Sequence, residues 1–130
     1  MKLGELLFES EWSRKSCEIN LSFPDGVVSI VVYDLGDFYT SKKVEGHRIS
    51  FYTGKPGEKN PFLEYEAYIK NVAFKRTDMQ RFLRGLKKHF KNKTLEDVKN
   101  FGKAAENLTN GDEDGDGQLI AIVNKIKSEG

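Results

Sequence analysis

The chain predicts an α+β fold: an antiparallel sheet or small barrel of about five strands packed by two helices, in one domain spanning residues 1–130. Three observations carry this. Cys17 to Phe23 alternates apolar and polar side chains with period two. Pro24-Asp25-Gly26 then supplies a tight turn into a second apolar run. At Thr77 the period changes from two to that of a helix.

In the first strand Cys17, Ile19, Leu21 and Phe23 share one face and Glu18, Asn20 and Ser22 the other. In the turn, Pro presets φ, Asp caps and Gly is expected at positive φ. Val27 to Tyr33 is apolar on both faces, as a central strand should be. Tyr39 to Glu45 is a polar loop or edge. Arg48 to Tyr52 alternates again and ends at Gly54-Lys55-Pro56-Gly57. Phe62 to Phe74 is a long strand, with Leu63, Tyr65, Ala67 and Ile69 expected inward and Glu64, Glu66, Tyr68 and Lys70 outward.

Thr77-Asp78-Met79-Gln80 has the form of a capping box that opens a helix. Behind it Met79, Phe82, Leu83, Leu86 and Phe90 fall within about 100° of arc at helical spacing. Thr94 to Asp97 is a second cap, followed by Val98, Phe101, Ala105 and Leu108, with Gly102 a potential break. Leu119 to Ile126 is rich in Ile and Val directly after a Gly-rich turn, which favours a closing strand over a helix.

Composition is that of a globular chain, with 38% apolar and 32% charged residues and a net charge of +1. The charge is unevenly distributed. Lys75 to Lys93 holds eight cationic side chains and one acid, whereas Thr94 to Gly117 holds seven acids and two lysines. The single cysteine excludes an intramolecular disulfide. No segment approaches the roughly 20 apolar residues of a membrane span or the pattern of an export signal, so a cytoplasmic location is expected.

Asp112-Glu113-Asp114-Gly115-Asp116-Gly117-Gln118-Leu119 resembles the first two-thirds of an EF-hand calcium loop. The resemblance implies Ca²⁺ ligands at Asp112, Asp114 and Asp116 and at the carbonyl of Gln118. It departs at the twelfth position, where Val123 replaces the bidentate acid. The bland counterpart is an Asp/Gly turn.

The helix after Thr77 has a second face. Arg81, Arg84, Lys87, Lys88 and Lys91 lie within about 120° opposite the apolar stripe, with no interleaved acid to pair them. Such a row can track phosphates, or it can fill a solvated face, since Lys and Arg are good helix formers. Tyr52 and Tyr68 lie on the polar sides of their strands and could stack single-stranded bases. Enzyme signatures are missing: His47 and His89 have no metal-ligand spacing, and no nucleophile–base pair or phosphate loop is present. The expected function is therefore non-catalytic binding of an anionic partner, nucleic acid and single-stranded for preference. The alternative is a protein-binding regulator, an inhibitor or accessory factor docking on an acidic protein surface.

Overall fold

Among the described residues, four strands turn one face of a single sheet toward three helices. The computed structural model describes residues 16–34, 46–70, 74–111 and 113–130. Strands β1 (Ser16–Phe23), β2 (Gly26–Asp34), β3 (Gly46–Gly54) and β4 (Phe62–Lys70) pair antiparallel in sequence order. Helices α1 (Arg76–His89), α2 (Leu95–Thr109) and α3 (Glu113–Ser128) follow. Residues 1–15 and the expected loop at 39–45 lie outside the described set.

The class is as expected, and the details differ. Among the described residues the sheet is open and has four strands, with β1 and β4 at its edges; neither a fifth strand nor a barrel is seen there. The expected closing strand is α3. Its β-branched residues favour a strand locally, but Leu119, Val123 and Ile126 recur at helical spacing and are buried to 1%, 0% and 5% exposure. Burial of that stripe outweighs propensity differences of a few tenths of a kcal/mol per residue. No described helix is long and apolar enough to cross a membrane.

The core joins Val28, Ile30 and Val32 of β2, Ile49 and Phe51 of β3, and Ala67 and Ile69 of β4 to the helical stripes. α1 buries Met79, Phe82, Leu83 and Leu86, with Phe90 just beyond it, as its spacing predicts. It rests on β1 and α3, while α2 rests on β4. The Phe90 ring meets Phe101 edge-on at 5.6 Å and ties the end of α1 to α2.

α1 starts before the expected box. Asp78 Oδ2 accepts from the Lys75 N–H at 3.0 Å, so Thr77 lies inside the helix. The α2 box forms as expected: Asp97 N–H donates to Thr94 Oγ1 at 3.2 Å and Thr94 N–H to Asp97 Oδ2 at 2.9 Å. Those bonds hold the Asp97 carboxyl below its ordinary range. α2 runs unbroken through Gly102, where a Cβ would stand 3.1 Å from the rings of Phe51 and Tyr65. Among the described glycines Gly57, not Gly26, has a positive φ, 77°.

In β4 the register slips at Phe51/Tyr52, so Tyr65 pairs with Phe51 and Leu63 with Tyr52. A bulge adds a residue and reverses the alternation beyond it. Leu63, expected inward, is therefore 44% exposed. Glu64, expected outward, takes a hydrogen bond from buried Thr53 and pairs with Lys99 at 3.8 Å.

α1 and α3 approach closely at Gly85 of α1, where a Cβ would fall 2.0 Å from the Ile126 carbonyl oxygen of α3. Gly85→Ala should therefore destabilise by about 1–3 kcal/mol despite alanine's better helix propensity. Gly117→Ala, in a helical position with nothing within 4 Å, should stabilise by up to about 1 kcal/mol. Urea unfolding midpoints at unchanged slope check both signs.

Candidate functional site

α1 is pinned through its apolar stripe, so its opposite face stands in solvent. Arg81, Arg84, Lys87, Lys88 and Lys91 are all exposed. Lys88 Nζ donates to the Glu129 carbonyl at 3.2 Å. Arg81, Arg84, Lys87 and Lys91 make no ion pair or hydrogen bond through their side chains among the described residues. The one acid of the segment, Asp78, is engaged with Lys127 at 3.7 Å. The acids of α2 that make side-chain bonds are committed elsewhere: Asp97 caps its own helix and Glu106 accepts the Glu66 N–H of β4.

Tyr52 and Tyr68 do not join that row. They lie on the sheet face turned away from the helices, together with Tyr33, Arg48 and Glu66. There the Tyr33 and Tyr52 hydroxyls share a hydrogen bond at 3.2 Å, the Arg48 guanidinium sits 4.4 Å over the Tyr33 ring, and Arg48 pairs with Glu66 at 3.6 Å. An open concavity of about 550 Å³ lies over Val31, Tyr33 and Tyr52, with Asn20 on one side and Lys59 on the other. Strand parity alone puts Tyr33 on this face; reading Val27–Tyr33 as uniformly buried hid it.

The acidic segment runs into the last helix. The backbone from Glu113 onward is helical, so Gln118 lies within α3 and its carbonyl faces along the helix axis. Gln118 is exposed; Asp112 and the side chains of Asp114 and Asp116 lie outside the described set. Among the described residues no three His, Cys, Asp or Glu side chains gather as a metal site would need.

The two histidines differ. His47 is 1% exposed, stacks on Phe74 at 5.2 Å, and its Nε2 accepts the Phe74 N–H at 2.8 Å. It is a packing residue at the β4–α1 junction. His89 is exposed, and its ring meets that of Phe90 edge-on at 4.8 Å. Cys17 is buried on the helix side of β1, as alternation predicts.

Burial, and then the bond to Tyr52, push the Tyr33 phenol up to about 12. A phenol raised in the folded state favours folding below its unfolded value near 10. That contribution is lost as pH rises from about 10 toward 12. Tyr33→Phe should flatten the fall in stability over this window, measured by urea unfolding at successive pH values; an unchanged slope would show that Tyr33 does not titrate late.

No family model, curated protein or solved structure matches this chain, so any functional assignment rests on its own geometry.

Proposed function

We propose that the protein is a non-catalytic binding protein that engages nucleic acid through the exposed basic row of α1. The observation that supports this is the unspent charge of Arg81, Arg84, Lys87 and Lys91, none of which has a side-chain partner among the described residues. From Arg81 to Lys91 the row runs about 15 Å along the helix, with like charges facing each other at i, i+3 and i, i+4 spacings. A phosphate chain relieves that repulsion and releases its own counterions, which drives association at low salt. Tyr52 and Tyr68 stand in the other layer, so a strand lying on the row has no stacking platform beneath it. Contact is then to the backbone, and sequence preference is weak.

The test is fluorescence anisotropy of labelled single- and double-stranded oligonucleotides at several salt concentrations. If the five cations each neutralise one phosphate, log K should fall against log salt with a slope of about −4.5 for duplex or about −3.5 for single strands. Reversing Arg81 and Lys87 to Glu should weaken binding to every sequence and shallow the slope by about two. No binding at low salt would sink the reading.

A further inference from the structure

The basic row of α1 ends where the most exposed aromatic side chain of the sheet begins. α1 lies along β1: Gln80 and Leu83 lie beside Cys17 and Ile19, and past the end of the helix Leu95 reaches Gly26 in the β1–β2 turn. A Cβ on Gly26 would fall 2.8 Å from the Leu95 side chain and 2.7 Å from the Gly54 carbonyl oxygen. Lys91 precedes Leu95 by at most about 14 Å of chain, and Lys55 follows Gly54 directly. The end of the row and the start of the β3–β4 connection therefore share one end of the fold.

That connection is held in shape. Glu58 N–H donates to the Lys55 carbonyl at 2.9 Å, with Pro56 and Gly57 between them and Gly57 at a φ of 77°, as in a type II turn. Lys55 and Lys59 flank the turn, exposed and without a side-chain partner among the described residues. Beyond Pro61, Phe62 is 64% exposed, more than any other large apolar side chain described. It shares a cross-strand row with Thr53 and Val28, so it faces the helix side of the sheet, the side that carries α1.

We infer that Phe62 is a stacking platform for an unpaired base and makes the protein selective for single strands. The inference rests on the reading of the α1 row as a phosphate-binding surface. No platform lies beneath the row; this one lies past its end. A strand that follows α1 to Lys91 then turns from β1 toward β4, across three strand spacings or about 15 Å, and reaches Phe62 beside Lys55 and Lys59. A single strand can make that turn and lay an unpaired base on the ring. A duplex, stiff over about 150 base pairs, cannot turn so sharply, and its bases are already stacked on each other. Asp25, Glu58 and Glu96 are exposed at the same end, so charge is mixed there and the ring face supplies the attraction.

The experiment compares full-length native protein with Phe62 variants in anisotropy titrations of a labelled oligothymidylate of about twelve nucleotides and a duplex of the same length, at several salt concentrations. Phe62→Ala should weaken single-strand binding about tenfold, with the salt slope, duplex binding and urea midpoint unchanged. Phe62→Leu, apolar but without a π face, should lose as much, whereas Phe62→Trp should bind at least as tightly as the native chain. Single-strand affinity that ignores all three substitutions, yet is lost on reversing Arg81 and Lys87 to Glu, would overturn this inference and leave the phosphate-binding row standing. Absence of oligonucleotide binding by the native protein would overturn both. Equal losses on single strand and duplex, or Phe62-dependent binding to phosphatidylserine vesicles in place of oligonucleotide, would also overturn it.

Discussion

The fold depends on burying one face of the sheet, centred on Phe51. Its ring is 1% exposed, lies 6.0 Å from Phe101, and stands against the gap left by Gly102. Around it Val28, Ile30, Val32, Ile49, Ala67 and Ile69 point the same way because strand alternation leaves them no other choice. Each large buried side chain contributes about 1.5–3 kcal/mol of transfer free energy, far more than any surface pair described above. A slip of one residue would expose the whole set, so register is strongly specified. That specification also fixes the other face, with Tyr33, Tyr52, Tyr68, Arg48 and Glu66.

What was legible in the sequence follows the same line. Wherever apolar residues repeat at one period and local propensity agrees, as in β1 and the α1 stripe, elements and buried faces match the reading. α3 was misread because Ile120, Ile122 and Val123 favour a strand locally, while the deciding contacts of Leu119, Val123 and Ile126 are with distant elements. The bulge in β4 was invisible because it is a property of pairing, not of either strand alone. The open sheet likewise could not be told from a barrel, since closure depends on whether the edges find each other.

The same distinction governs the candidate sites. The basic row is a local periodicity and stands where the spacing puts it. Its separation from the tyrosines is a matter of layers: one set belongs to a helix on the covered face, the other to the opposite face of the sheet. The capping of β4 is equally non-local, with Glu106 and Thr109 reaching amides 40 and 41 residues away. From sequence alone the two edges look equivalent; long-range hydrogen bonds close the edge at β4.

Net charge hides a further asymmetry. Many acidic side chains are used in holding the fold: Asp78 on the Lys75 amide and Lys127, Asp97 on the α2 cap, Glu106 on the β4 edge, Glu64 on Thr53 and Lys99, and Glu66 on Arg48. Arg81, Arg84 and Lys87 of α1 have no such side-chain partner among the described residues. A total of +1 is therefore compatible with a surface field dominated, beside α1, by charge that folding leaves unneutralised. Carboxylates can accept backbone N–H groups at caps and edges, whereas ammonium and guanidinium groups cannot. Part of the imbalance follows from that chemistry: amides exposed at helix starts and strand edges recruit acids, whereas of the α1 row Lys88 alone reaches a backbone carbonyl among the described residues. Arg81, Arg84, Lys87 and Lys91 are thus left without side-chain partners among the described residues.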